Sequence, residues 1–480
     1  MFEVQADVWR PPSGKVAYGV YDSILETIGN TPLVRLHTVS RGYKPTILAK
    51  VELFNPGGSV KDRIGVTIVE DYEKRGLLKA GGTIVEATSG NTGVGLAIAA
   101  AIKGYKSVFV MPDKMSDEKV RLLRAFGARV VITPTAVAPE DPRSYYNVAK
   151  QIVKETPGAV LANQYHNMIN PISHYYSTGP ELWEGTEGRI THFVAGLGTG
   201  GTISGTGKYL KEQNPAIQII GVDPIGSLLH EFFYTGNLGE AFSYKVEGIG
   251  EDFVPGTTDF DYVDDVVQVD DRESLLMTRR LVREEGIFCG GSCGSAVAGA
   301  LKVAKSLPED AVVVVLLPDS GSRYLSKVFN DDWMRENRFL DYTPLGEGRV
   351  GDLLMRNPRD AESLILAHPH ETKIEIIQRM KDHNVSQLPV VGDGERYIGV
   401  VTERDLLNHL LSANHDHARA ETIEDVINNE IPLVGRGSAL DTLAEAFAES
   451  SVVVVVDAAS QVEGIVTKID LIDYLSQRLN

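Results

Sequence analysis

The sequence predicts an α/β fold built on parallel sheets, followed by a smaller α/β module that carries an internal repeat. Three observations predict it. Short apolar runs alternate with helical segments from Tyr21 to about Arg335, the pattern of parallel strands covered on both faces by crossover helices. Val312 to Leu317 is apolar at every position, as a strand buried on both faces should be. Finally, Gly399-Val400-Val401-Thr402-Glu403-Arg404-Asp405-Leu406-Leu407 is echoed by Gly464-Ile465-Val466-Thr467-Lys468-Ile469-Asp470-Leu471-Ile472, which marks two copies of one unit.

Taken in order, Thr83 to Glu86 reads as a strand, a Ser-Gly-Asn-Thr-Gly turn follows, and Val94 to Ile102 reads as a helix. Val108 to Met111 is a strand closed by Pro112, Ser116 to Phe126 a helix stopped by Gly127, and Val130 to Ile132 a strand. His192 to Ala195 and Ile217 to Val222 are further strands, and Ala296 to Leu307 a helix preceded by a glycine- and serine-rich turn. Phe339 to Arg349 lacks periodicity and reads as a linker. The expected domains are therefore 1–338, a linker at 339–349, and a module over 350–480 with repeats at about 350–413 and 421–480. Each repeat reads as an apolar strand (Gln387 to Val391, Val452 to Val456), a second strand, a threonine turn and a helix, in a βαβ-like unit.

The chain has 480 residues, 43% hydrophobic and 23% charged, with a net charge of −18. Such acidity excludes nucleic acid or an anionic membrane as the main partner. Cys289 and Cys293 are the two cysteines, too few for a disulfide framework and suited to a reducing, cytoplasmic setting. No apolar window reaches 18 residues and Met1 to Val20 lacks a signal-type apolar run, so neither a membrane span nor a leader is expected. No Cys/His cluster has metal-ligand spacing, and no metal is expected.

Four motifs carry chemistry. Asn55-Pro56-Gly57-Gly58-Ser59-Val60-Lys61-Asp62-Arg63 puts a lysine in the first turn of a helix, with Ser59 and Asp62 spaced as a capping-box-like pair. The field of the helix N-terminus disfavours the protonated amine, as bonding to an aldehyde cofactor requires. Thr88-Ser89-Gly90-Asn91-Thr92-Gly93 offers hydroxyls, an amide and backbone N–H groups at a helix start, a site for a carboxylate or phosphate. Gly196-Leu197-Gly198-Thr199-Gly200-Gly201-Thr202 lets backbone wrap an anion. It also fits G-x-G-x-x-G at Gly196, Gly198 and Gly201 with Asp223 beyond a strand, so these residues alone leave a nicotinamide dehydrogenase open. The fourth motif is Gly290-Gly291-Ser292-Cys293-Gly294-Ser295.

Together with Ile28-Gly29-Asn30-Thr31-Pro32-Leu33, these motifs resemble the pyridoxal-phosphate enzymes of the tryptophan-synthase-β class, fold type II. Glu247-Gly248-Ile249-Gly250, Leu317-Pro318-Asp319-Ser320 and the repeat pair resemble, within that class, the cystathionine β-synthases with a C-terminal Bateman module. The resemblance spans nearly all of the chain from Tyr21. It implies a two-lobed parallel-sheet catalytic domain and pyridoxal 5′-phosphate as cofactor. It implies that Lys61 holds the cofactor and moves the substrate α-proton. Asn91 would contact the cofactor ring, Gly198, Thr199, Gly200, Gly201 and Thr202 its phosphate, and Ser292 its pyridine nitrogen. Thr88, Ser89, Thr92 and Gln164 would bind the substrate carboxylate. The implied reaction is a β-replacement joining L-serine to L-homocysteine in transsulfuration. A cysteine synthase using O-acetylserine and sulfide shares the chemistry, and an adenosyl-sensing protein with an inert catalytic domain is the reading from another class.

In the module, the resemblance implies an adenosyl ligand, S-adenosylmethionine first and AMP or ATP after it, at Thr402 with Asp405 and Thr467 with Asp470. A homodimer or homotetramer is implied as well. Two departures stand out. Relatives with a haem segment use Cys and His ahead of this region, whereas the first histidine here is His37 and no cysteine precedes Cys289, so no haem is expected. Several relatives carry tyrosine after Glu-Gly-Ile-Gly, where this chain has Glu251. That residue is expected to alter closure of the entrance loop or reception of the second substrate, or else to be a solvated loop acid.

Overall fold

The computed structural model describes residues 19–88, 90–113, 115, 117–134, 137, 141–340, 348–354, 364–412 and 421–476. The chain forms two compact units, 1–340 and 341–480. Most of the linker expectation, 341–347, lies outside the described residues.

In the first unit the main elements are, in order, β1 (Leu33–Arg35), β2 (Thr46–Val51), α1 (Lys61–Lys74), β3 (Thr83–Ala87), α2 (Asn91–Lys103), β4 (Lys106–Pro112), α3 (Asp117–Ala125), β5 (Arg129–Thr133), α4 (Tyr145–Glu155) and β6 (Ala159–Leu161). There follow α5 (Ile169–Tyr176), α6 (Thr178–Gly185), β7 (His192–Gly196), α7 (Gly201–Gln213), β8 (Gln218–Pro224), α8 (Leu229–Thr235), β9 (Asp265–Val269), α9 (Asp271–Glu285), α10 (Gly291–Ala304), β10 (Val312–Leu317) and α11 (Asp331–Glu336).

They build two sheets, ordered β1-β2-β10-β7-β8-β9 and β5-β4-β3-β6. All pairings are parallel except the antiparallel edge of β1 on β2. The parallel strands are apolar because helices cover both faces. Val313 to Leu317, Phe193 to Ala195 and Ile219 to Val222 are all buried. β2 and β10 run level, Val312 opposite Thr46 and Leu317 opposite Val51. The segments leaving their carboxyl ends, Glu52 onward and Pro318 onward, therefore emerge side by side at the edge where α/β folds place ligands.

Three local expectations are corrected. Val60, not Ser59, is the residue before α1, and it makes no side-chain cap. Ser59 Oγ still caps the helix start, accepting from the Lys61 N–H at 3.3 Å, and the Asp62 carboxylate accepts from the Gly57 N–H at 2.6 Å, with the Ser59 backbone acting on it in the same sense, so the glycine turn closes on itself. The helix placed at Ala296 begins at Gly291. Its small first-turn residues are needed because α9 lies against them: a Cβ on Gly294 would fall 2.0 Å from the Ser274 carbonyl oxygen. The helix placed at Val94 likewise starts at Asn91.

In the second unit the elements are α12 (Val350–Leu354), α13 (Lys373–His383), β11 (Gln387–Val391), β12 (Tyr397–Thr402), α14 (Glu403–Ser412), β13 (Leu433–Val434), α15 (Leu440–Glu449), β14 (Val452–Val456), β15 (Val462–Thr467) and α16 (Lys468–Ser476). The repeats agree down to register: Gln387 faces Thr402 and Val452 faces Thr467, and each hairpin carries an irregularity, at Val390/Val391 and Val455/Val456. In the second repeat β13, α15 and β14 form a parallel βαβ unit, in line with the βαβ-like reading, while β11–β12 and β14–β15 are antiparallel hairpins, each followed by a helix. The connections within the hairpins are too short for the crossover that a parallel pair demands. The leading segment of each repeat packs into the other. Val350 and Leu353 join the core of Leu440, Val453 and Val466, while Ile423 joins that of Ile376, Leu388 and Val401.

Candidate active site

Parallel strands deliver the candidate residues to one edge. Lys61 is the first residue of α1, beyond the carboxyl end of β2; Thr88 follows β3, Gln164 follows β6, the glycine loop follows β7 and Asp319 follows β10. The N-termini of α1, α2, α7 and α10 open at this edge, and each offers backbone N–H groups and a positive end.

Lys61 is half-buried. Burial is the main force holding its amine below the ordinary lysine value, while the carboxylates of Asp319, Glu251 and Glu52 act in the opposite sense. Desolvation thus favours its neutral form, in the same sense as the helix field at the first residue of α1. Among the described residues nothing is hydrogen-bonded to its Nζ.

The rest of the motif holds that lysine in place. Arg63 is fully buried and binds Glu52 at 2.7 Å and Glu181 at 2.6 Å; Lys50 reaches Glu181 at 2.5 Å. Thr31 donates to Glu52 at 2.6 Å and Asn55 does so at 2.8 Å. Against burial, which pushes it up, Arg63 and Lys50 keep the Glu181 carboxyl well below the ordinary range. The opening Asn-Thr-Pro-Leu motif and the lysine motif therefore meet through one buried charge network.

At the start of α2, Thr92 donates to Gln164 Oε1 at 2.5 Å, Gln164 Nε2 lies 3.4 Å from the Ala87 carbonyl oxygen, and Thr88 Oγ1 accepts from the Gly90 N–H at 3.0 Å. Thr88, Thr92 and Gln164 are thus brought together, all buried; Ser89 lies outside the described residues. Asn91 is gripped at both ends of its amide. Its Nδ2 donates to Asp319 Oδ2 at 2.8 Å, and its Oδ1 accepts from Arg323, which also donates to the Gly57 carbonyl oxygen. Sequence reasoning assigned no role to Asp319 or Arg323. The Leu-Pro-Asp-Ser motif was a usable signal for the first; a single arginine in a loop offers none for the second.

The glycine loop is a cradle. Gly200 has φ of 80°, a left-handed conformation, and a Cβ there would fall 1.9 Å from Thr258 Oγ1. Thr199 Oγ1 accepts from Asn170 at 3.0 Å, and Thr202 Oγ1 lies 3.2 Å from His174 Nε2. Among the described residues no acceptor takes the N–H groups of Gly198 to Thr202. Ser292 is buried in the first turn of α10. Pyridoxal phosphate fits this set on three counts. There is a desolvated amine without a partner. A run of unaccepted N–H groups at a helix start suits a phosphate. Asp319 also keeps a buried Oδ1 without a partner.

In the module, Thr402 Oγ1 donates to Asp405 Oδ2 at 2.6 Å, and Thr467 Oγ1 to Asp470 Oδ2 at 2.6 Å. Both pairs stand at the start of the repeat's last helix and in this state act as helix caps. His409, Glu421 and Asp425 cluster nearby, but the buried Lys373 Nζ sits among them, within 3.0 Å of Glu421 and 2.8 Å of Asp425, and supplies the cation. Among the described residues no helix is long and apolar enough to cross a membrane.

Comparison with known proteins places both units. The family described as "Pyridoxal-phosphate dependent enzyme" matches residues 24–319, and "CBS domain" matches 350–412 and 423–477. Cystathionine beta-synthase of Dictyostelium discoideum is 42% identical over 477 residues, 96% of this chain and 94% of its own length. That of Saccharomyces cerevisiae is 38% identical, over 95% of this chain and 98% of its own length. Among solved structures, O-ureido-L-serine synthase superposes with a TM-score of 0.60 at 39% identity, covering 66% of this chain and 100% of that one. With identity at this level sustained across both units, the chain belongs to the cystathionine β-synthase family of pyridoxal-phosphate-dependent enzymes.

Proposed function

We propose that the protein joins L-serine to L-homocysteine by β-replacement, giving cystathionine and water. The observation that carries this is the desolvated Lys61 amine, without a hydrogen-bond partner among the described residues, at the start of α1, just as the Asn91, glycine-loop and Ser292 motifs open α2, α7 and α10. The relatives named cystathionine beta-synthase, which match the chain over most of its length and theirs, support it. Bound there, the cofactor supplies an electron sink that acidifies the substrate Cα–H bond.

The chain's own residues do the rest. Lys61 would hold the cofactor, and its amine would take the substrate α-proton and later return it. The N–H groups of Gly198 to Thr202 and the positive end of α7 hold the phosphate. Asn91, fixed by Asp319 and Arg323, orients the ring. The Ser292 hydroxyl meets the pyridine nitrogen; unlike a carboxylate it does not hold that nitrogen protonated, which favours prompt elimination. Thr88, Ser89, Thr92 and Gln164 bind the substrate carboxylate. Cysteine synthesis from O-acetylserine and sulfide is the second reading, favoured by the similarity of the catalytic unit to a synthase lacking the module. An inert domain is disfavoured because the lysine, asparagine and serine positions are all filled.

The repeat pair is read as a sensor of S-adenosylmethionine or another adenosyl ligand, with Asp405 and Asp470 leaving their caps to take ribose hydroxyls. Mass spectrometry of products tests the main reading: serine with homocysteine should yield cystathionine, and Lys61→Ala should lower the rate by more than about 10²-fold and abolish the visible absorbance of bound cofactor. Cysteine from O-acetylserine and sulfide, with no cystathionine from serine, would replace it.

A further inference from the structure

Glu251 is half-buried rather than solvated. Its backbone is fixed from three sides. Its N–H donates to Ser227 Oγ at 3.0 Å, its carbonyl accepts from the Leu228 N–H at 3.0 Å, and the preceding Gly250 N–H donates to the Leu197 carbonyl in the glycine loop at 2.6 Å. The last of these bonds ties the segment to the glycine loop. Lys61, at the start of α1, and Tyr165, beyond β6, both act on its carboxyl in the sense that favours the charged form. Tyr145 and Tyr146 of α4, and Tyr244, also feel its charge. Phe253 closes this wall, its ring 5.2 Å from that of Tyr165. The acidic neighbours are Asp252 and Asp223. The cation acting on it is thus Lys61, the lysine that must be neutral to act as a base. Burial first, then Asp252, pushes the Glu251 carboxyl up to about 8, so it holds a proton at neutral pH.

We propose that Glu251 is the general acid that protonates the departing hydroxyl of the β-hydroxy amino acid, and then the base that takes the proton of the incoming thiol. This rests on the serine reading above. Lys61 removes the proton from Cα, and the electron pair left behind forms the Cα–Cβ double bond as the Cβ–O bond breaks. The oxygen takes the Glu251 proton and leaves as water. The thiol then gives its proton to the Glu251 carboxylate, its sulfur bonds to Cβ, and Lys61 returns the proton to Cα. Glu251 ends as it began, and one water is released for each carbon–sulfur bond made. Hydroxide is a poor leaving group and needs this proton; acetate leaves as an anion and does not. The residue therefore sets which donor the site can use.

The test compares full-length, cofactor-loaded wild type, Glu251→Gln and Glu251→Asp, with homocysteine as acceptor. Glu251→Gln should lower kcat/KM for serine by about 10²–10⁴-fold, a fall much larger than for O-acetylserine, and Glu251→Asp should recover part of the loss. Infrared difference spectra, wild type minus Glu251→Gln, should show a protonated-carboxyl band at pH 6 that fades as pH rises through about 8. Equal falls for the two donors, or no such band, would overturn the assignment. Wild type that fails with serine while keeping the band would sink the serine reading instead.

Discussion

Arg63 lies two residues past the candidate catalytic lysine, and its fully buried guanidinium serves two carboxylates, Glu52 and Glu181. Removing one member of such a buried set leaves uncompensated charge, at a cost of about 3–5 kcal/mol. Arg63→Met should lower the stability of the first unit by that amount in denaturant titration; a loss under about 1 kcal/mol would show that the network is not structural. The pH dependence has a definite sign. Glu181 titrates below its ordinary value of 4.5 in the folded state, so its stabilisation is present above that value and is lost as pH falls. Wild type should therefore weaken on acidification more steeply than Arg63→Met. At this scale the sequence is legible where several residues form a motif. Lys61, Thr88, Asn91, Thr92 and the glycine loop were found because each motif implies a turn before a helix. Arg323 and the buried setting of Glu251 were not, since contacts between residues more than 200 apart, such as Arg323 with Asn91, leave no local pattern.

Helices α1 and α2 meet through two glycines. A Cβ on Gly65 would fall 2.3 Å from the Gly95 carbonyl carbon, and one on Gly95 2.5 Å from the Lys61 carbonyl oxygen. These are backbone contacts, so an added methyl group must push the helices apart. Because the contact on α1 is Lys61 itself, Gly95→Ala should cost about 1–3 kcal/mol and also displace the reacting amine, for which a shift near 1 Å can cost about 10²-fold in turnover. Thermal unfolding and kcat measured together check this; reduced stability with unchanged kcat would mean that the lysine tolerates the shift. Strand and helix types were legible here because continuous apolar runs and helical periods are local signals. Boundaries were less so. Glycines and serines that read as turn at Gly291 to Ser295 lie inside a helix, since tight packing on α9 selects small residues there for the opposite reason.

At the scale of the molecule, the cores divide cleanly. Ile64, Val94, Phe109, Val194, Val222 and Val315 belong to clusters confined to the first unit, and Val350, Leu443, Val453, Ile376, Leu388 and Val401 to clusters confined to the second. The repeat was legible as an offset match of glycine, threonine and aspartate. The exchange of leading segments between the repeats was not, because Val350 meets Val453 only in space. Each repeat completes its core with the other's leading segment, so the pair should fold as one body and neither repeat alone. A chain ending at Leu340 keeps every cluster of the first unit. It should retain one cooperative thermal transition and cystathionine formation, whereas the full chain should show two transitions. If the repeats sense adenosyl compounds, titration of the full chain with S-adenosylmethionine, AMP or ATP should release heat that vanishes in the shortened chain and in Asp405→Ala/Asp470→Ala. Heat that persists after shortening would place the ligand in the catalytic unit. A shortened chain without a cooperative transition would show that the first unit depends on the second, despite its separate cores.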